Sequence, residues 1–210
     1  MDSAEERLWR RASETPSARR GRTPRPSREE LEAARDKVVP DILEEDLDVL
    51  FCGINPGLIS GAVGHHFANP GTRFWPALHR SGFTPHQLRP DQEDVLLELG
   101  LGITNVVART TAQASELSRP EVVEGGRELR RKVLRWRPRW LAVLGVTVYR
   151  DAFDDRRAAV GPQTMRIGDT RVWLLPNPSG RNAHWQMEPM AEEFARLRRA
   201  AGLPDRSPSP

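Results

Sequence analysis

Apolar residues in this chain fall either into short unbroken runs or into longer stretches where they recur every three or four positions. The first pattern predicts buried strands and the second predicts helices with one covered face. Four runs are of the first kind: residues 47–54, Gly102-Ile103-Thr104-Asn105-Val106-Val107, Trp140-Leu141-Ala142-Val143-Leu144, and residues 171–176. Helices are predicted over about 28–38, opened by the capping-box pattern Ser27-Arg28-Glu29-Glu30, and over 72–81, 91–99, 120–136 and 187–200. The fourth of these buries Val122, Leu129, Val133 and Trp136, and the last buries Met187, Met190, Phe194 and Leu197. Residues 57–71 are glycine-rich and read as a loop. Strands alternating with helices predict an α/β fold, a three-layer α/β/α sandwich around a mainly parallel sheet of four to five strands. The strands are apolar nearly throughout, as a sheet covered on both faces requires.

Two of the runs stop at an Asn-Pro turn, the first at Asn55-Pro56-Gly57 and the last at Asn177-Pro178-Ser179-Gly180. A residue before proline is driven out of the helical region, so each asparagine is held extended where its strand ends. The glycines beyond permit close approach of backbone or ligand. Open α/β sheets bind ligands at the carboxyl ends of their strands, so the two turns are expected to form two walls of one site.

The length of 210 residues suits one domain, expected over 28–203, with polar tails at 1–27 and 204–210 that are expected to be disordered. No apolar run approaches the roughly 18 residues of a membrane span. The start, Met1-Asp2-Ser3-Ala4-Glu5, lacks the apolar core of an export signal, so a cytoplasmic protein without a membrane partner is expected. The single cysteine, Cys52, excludes an internal disulfide or a four-cysteine metal site, and its place in a strand makes it a core residue. Net charge is +3 and arginine carries nearly all the positive charge, Lys37 and Lys132 being the only lysines. That balance suits a phosphate-bearing partner and equally a GC-rich coding bias, so it selects neither. Arg127, Arg131 and Arg135 likewise read as a solvated helix face or as a stripe for DNA.

The usual catalytic signatures are missing. Gly53-Ile54-Asn55-Pro56-Gly57 has neither the spacing of a dinucleotide fingerprint nor a P-loop lysine. Ser179-Gly180 is not part of a nucleophile elbow, and His65-His66 has no acidic residue near it in sequence to make a metal site. What remains is a site of amides, backbone groups and an aromatic ring, suited to binding and orienting.

Gly53-Ile54-Asn55-Pro56-Gly57, Gly64-His65-His66-Phe67 and Arg73-Phe74-Trp75 resemble the mismatch-specific uracil/thymine DNA glycosylases of the uracil-DNA glycosylase superfamily. Residues 102–111, Gly125-Gly126-Arg127, Leu144-Gly145 and Asn177-Pro178-Ser179-Gly180 are similar to further blocks of that family, in the family's order over about residues 46–200. The resemblance implies a monofunctional glycosylase that extrudes a base from duplex DNA and hydrolyses its glycosidic bond. The expected base is uracil, with G·U mismatches preferred and other damaged bases as further candidates. The expected partner is double-stranded DNA with a mismatched or damaged base, bound by a monomer at the nucleoid, with no cofactor and no metal. No lysine lies in the motifs to form a Schiff base, so a lyase step is not expected.

By the same resemblance, Asn55 would position the attacking water, orienting it without acting as a strong base. Phe67 would stack on the flipped base and Asn105 would bond its edge, with Gly53, Ile54, His65 and His66 lining the pocket. Asn177, Ser179 and Gly180 would enter the minor groove, and Arg181 stands where the bacterial branch usually has an apolar wedge. Each also has a plainer reading: Asn55 closes a turn, Phe67 packs, Asn105 satisfies local backbone, and the histidines are structural. Trp185 reads as a stacking or a core residue. The rivals from other classes are a non-catalytic protein that binds damaged DNA and a nucleotide-binding α/β protein unrelated to DNA.

Overall fold

The computed structural model describes residues 25–180 and 182–207; Arg181 and most of the two expected tails lie outside these. Five strands, β1 (Val49–Gly53), β2 (Leu101–Asn105), β3 (Trp140–Leu144), β4 (Gly161–Ile167) and β5 (Thr170–Leu175), form one sheet in the order β2-β1-β3-β5-β4. The first four in that order run parallel, and β4 joins the edge antiparallel to β5. The helices are α1 (Arg28–Glu32), α2 (Leu58–Val63), α3 (Phe74–Arg80), α4 (Val95–Glu98), α5 (Arg119–Trp136), α6 (Val146–Phe153) and α7 (Met187–Ala200).

Successive side chains of a strand leave on opposite faces, and here they feed two cores. Val49 and Phe51 join Phe74 and Leu78 of α3, Phe83, and Phe194 of α7. Leu50 and Cys52 join Leu129 and Val133 of α5 and Tyr149 of α6. Helices therefore cover both faces, and the expected α/β/α sandwich is present. Phe51 lies edge-on to Phe74 and Phe83, at centroid distances of 5.5 and 5.4 Å, and stacks on Phe194 at 5.9 Å. Such pairs contribute about 0.5–1.5 kcal/mol each beyond their burial. Cys52 is fully buried, and that burial pushes its thiol far up, so it packs as a small apolar group.

Several local expectations are corrected. The first helix stops at Glu32 rather than near Val38: Pro40 and the β-branched Val38-Val39 favour extended chain, and Ile42 exchanges backbone bonds of 2.9 Å with Ile103. The expected loop 57–71 holds α2, closed by Gly64 in the left-handed region (φ 77°). The helix expected over 91–99 is split into a 3₁₀ turn at Pro90–Gln92 and the short α4. Three elements had no expectation: a 3₁₀ turn at Ala114–Glu116, α6, which opens with Val146-Thr147-Val148, and β4, whose edge position lets its side chains alternate between cover and solvent. On α5, Arg127 pairs with Glu124, and Arg131 with Glu124 and Glu128, all exposed, so these two arginines belong to a solvated, ion-paired face.

Gly125 lets α5 approach the carboxyl end of β2, and Gly126 lets it approach α6. A Cβ at Gly125 would collide with the Val106 carbonyl, and one at Gly126 with the Ala152 carbonyl. Alanine gains about 1 kcal/mol of helix propensity over glycine. Overpacking against backbone costs typically 1–3 kcal/mol, so the clash outweighs the gain. Gly125→Ala and Gly126→Ala are each expected to lower the urea midpoint; an unchanged or raised midpoint would show that α5 is free to move away.

Candidate active site

The site grows out of the pairing of β1 with β2, which continues past both strands. Val106 N–H donates to Gly53 O (2.9 Å), Val107 N–H to Ile54 O (2.9 Å) and Thr111 N–H to Pro56 O (3.2 Å). The turn 53–57 therefore lies along residues 105–111, and both asparagines sit on this extension.

Asn55 is tied down by its amide nitrogen. Nδ2 donates to Pro56 O (3.1 Å), Arg109 O (3.1 Å) and Thr111 Oγ1 (2.8 Å). The Thr111 hydroxyl spends its own proton on Gln113 O (2.8 Å), so it must accept from Asn55. Nitrogen is thus the anchored end, and Oδ1 has no hydrogen-bond partner among the described residues. Arg109, whose carbonyl shares in this cage, is itself fixed by Asp36 (3.0 Å) and Glu121 (2.8 Å).

Asn105 faces Gly53 across the ladder. Its Oδ1 would lie only 2.5 Å from a Cβ built on Gly53, and Phe67 Cζ would lie 3.4 Å from it, so glycine leaves the space that the amide and the ring share. Asn105 Nδ2 lies 3.3 Å from His66 Nδ1, and His66 Nε2 lies 2.8 Å from Pro40 O. A carbonyl oxygen only accepts, so Nε2 carries the proton and Nδ1 accepts from Asn105. This relay turns the amide so that Oδ1 and one remaining N–H are available. Burial holds the His66 ring below its ordinary pKa; the Lys132 and His65 charges act the same way, while the Pro40 bond and Asp41 oppose it. Both ring nitrogens of His66 are engaged within the protein.

Glu93 supports the histidine pair. One carboxylate oxygen accepts from His66 N–H (2.8 Å) and the other lies 2.9 Å from His65 Nδ1. The pair therefore does have an acidic partner, 27 and 28 positions onward, a distance no local pattern reveals. Burial raises the Glu93 pKa, partly offset by these two contacts. No group of three or more His, Cys, Asp or Glu is placed to hold a metal ion among the described residues. Phe67 has left-handed backbone (φ 49°), which costs a non-glycine residue about 1–2 kcal/mol. Its ring stacks on Phe74 at 4.0 Å, and its carbonyl accepts from Trp75 Nε1 (3.3 Å), which hold it there.

The second Asn-Pro turn closes the site from the β5 side. Ile54 and Asn177 both approach Gly145. Ser179 N–H donates to Asn177 Oδ1 (3.0 Å), and Asn182 returns two bonds of 3.0 Å, from Nδ2 to Asn177 O and from N–H to Ser179 O. Trp185 packs on the core beneath. Arg181, expected here as a wedge, lies outside the described residues. The strand ends thus bring together Gly53, Ile54, Asn55, His66, Phe67, Asn105 and the 177–180 turn, while His65 is turned to Glu93. Residues that sequence reasoning left unassigned (Pro40, Arg73, Glu93, Arg109 and Thr111) act through backbone or through other side chains.

Fold and site define an α/β/α protein whose strand ends bring two amides and an aromatic ring together. A model of the uracil DNA glycosylase superfamily matches residues 40–200, and the chain belongs to that superfamily. It is accordingly a DNA glycosylase, and its macromolecular partner is DNA.

The lowered His66 pKa fixes the sign of one pH effect. Between its folded value and 6.5 the unfolded chain binds more protons, so the ring's contribution is complete above 6.5 and is lost as pH falls through the folded value. Thermal midpoints measured from about pH 7.5 to about pH 5 should fall less steeply in His66→Leu than in the wild type. Equal slopes would show that His66 titrates normally.

Proposed function

We propose that this protein removes uracil from duplex DNA, preferring G·U mismatches, by flipping the base and hydrolysing its glycosidic bond in the manner of the mismatch-specific branch of the superfamily. The observation that carries the reading is the fixed polarity of the two amides. Asn105 offers an acceptor beside a donor; uracil presents a donor at N3 and an acceptor at O4, which is the complement. Cytosine presents an acceptor at N3 and a donor at its amino group, the wrong order on both counts. Phe67 supplies an aromatic surface for the extruded ring, where stacking contributes about 1–3 kcal/mol.

Asn55 Oδ1 is the acceptor that orients the water attacking C1′ of the sugar. The water oxygen bonds to C1′ as the bond from C1′ to the base breaks with its electrons moving onto the pyrimidine; the water's proton passes through solvent to the departing base, leaving free uracil and an abasic sugar. An amide orients without removing the proton, so catalysis falls mainly to position and to electrostatic stabilisation of the departing base. The ammonium of Lys132, one of two lysines in the chain, is held by Asp41 and by Thr104 Oγ1 (2.7 Å), which favours hydrolysis without a lyase step. The 177–181 turn is the part that enters the minor groove, and the protein works as a monomer in the cytoplasm.

The test is release of free base from labelled duplexes carrying G·U, A·U, G·T and G·hypoxanthine, and from single-stranded uracil. Release is expected to be fastest from G·U, and Asn55→Ala should lower it by about 10²-fold or more. Asn55→Asp should also lower it, because the new carboxylate oxygen would face two carbonyl oxygens where Nδ2 now donates. A faster Asn55→Asp would show that the cage does not constrain this residue. No release from any substrate, with mismatch binding intact, would leave a damage-binding protein instead.

A further inference from the structure

Arg73 is bound almost wholly to one stretch of backbone. Its own N–H donates to Pro178 O (2.8 Å), Nη2 donates to Ser179 O (2.6 Å) and Asn182 O (2.7 Å), and Nη1 donates to Trp185 O. Four carbonyls of the 178–185 segment thus point at one residue, which forms no ion pair among the described residues. Close by, a Cβ on Gly180 would collide with the Gly71 carbonyl, so the two loops touch backbone to backbone. The next residue along, Phe74, carries the ring on which Phe67 stacks. One turn of chain at the start of α3 therefore holds the pocket aromatic by one side chain and the 178–185 segment by the side chain before it.

From this we infer that Arg73 is a positioning residue that fixes the distance between the base pocket and the segment entering the duplex, so that insertion and capture of the flipped base occur as one event. The inference rests on the function proposed above. Oxygens of several carbonyls brought together repel one another unless a cation lies between them. The planar guanidinium meets three of them, those of Ser179, Asn182 and Trp185, with its two terminal nitrogens; a lysine ammonium is a point charge on a flexible stem and cannot span the set. With the clamp gone, the pocket keeps its amides, because Asn55, Asn105 and His66 take no bond from Arg73. The segment loses its fixed height above the pocket.

The decisive variants are Arg73→Lys and Arg73→Met in the full-length chain, read in two ways. Amide hydrogen exchange needs no catalysis: both variants should exchange faster across 178–185 while β1, β2 and β3 keep their protection. Single-turnover uracil release should then fall by about 10- to 100-fold from a G·U duplex and stay near wild type from single-stranded DNA, which has no stack to enter. Unchanged exchange across 178–185 would overturn the proposal, as would full activity of Arg73→Lys or a parallel loss on both substrates. Wild-type protein that releases no base from any substrate would instead defeat the proposed function and leave the exchange result to decide the clamp.

Discussion

The structure depends on one pairing, that of β1 with β2, and on its extension beyond the sheet. Parallel ladders fix register residue by residue, so Gly53 opposite Asn105 follows directly from Val49 opposite Leu101. Because the bonds run on through Val106, Val107 and Thr111, two segments far apart in sequence are locked side by side where the strands end. A slip of one residue would exchange the faces of the strand, driving the Phe51 ring into the core built around Leu50 and Cys52 and leaving those smaller side chains to fill the aromatic one. The two hydrophobic cores therefore guard the register, and the register places both asparagines.

Polarity is set with equal economy. Carbonyl oxygens accept and never donate, and two of them decide how the site's amides point. Gln113 O takes the Thr111 proton, which leaves that hydroxyl to accept from Asn55; Pro40 O takes the His66 proton, which leaves Nδ1 to accept from Asn105. Each chain of bonds ends with one amide face committed to the protein and the other available. The committed face of each amide is held by groups whose own bonds are made, so neither amide is free to turn over.

Much of this was legible in the sequence. Apolar runs locate four of the five strands, and the bounds of β3 and α7 match the pattern residue for residue. The Asn-Pro turns mark the carboxyl ends where Asn55 and Asn177 stand. The rest was hidden for stated reasons. Edge strand β4 is half polar, α6 opens with β-branched residues, and Pro40 follows a helical pattern that was expected to run through about Val38. Glu93 meets the histidine pair across 27 residues, a contact made by folding alone. Arg73 was visible as part of a motif, yet its partners are carbonyls, which leave no mark in a sequence.

A pocket whose hydrogen-bond polarity is fixed reads pattern, and pattern has limits. Uracil and thymine present the same donor at N3 and the same acceptors at O2 and O4, so no arrangement of Asn105 can separate them. The two differ by one methyl group at C5, and a methyl in an apolar pocket is worth about 1–3 kcal/mol, or roughly 10- to 200-fold in specificity. On the proposed function, discrimination between the two pyrimidines would come from space, which the side-chain-free Gly53 shares with Asn105 and the Phe67 ring. On the proposed function the amides would exclude cytosine by chemistry, and any exclusion of thymine would depend on where one aromatic residue with left-handed backbone is held; Phe74 holds it.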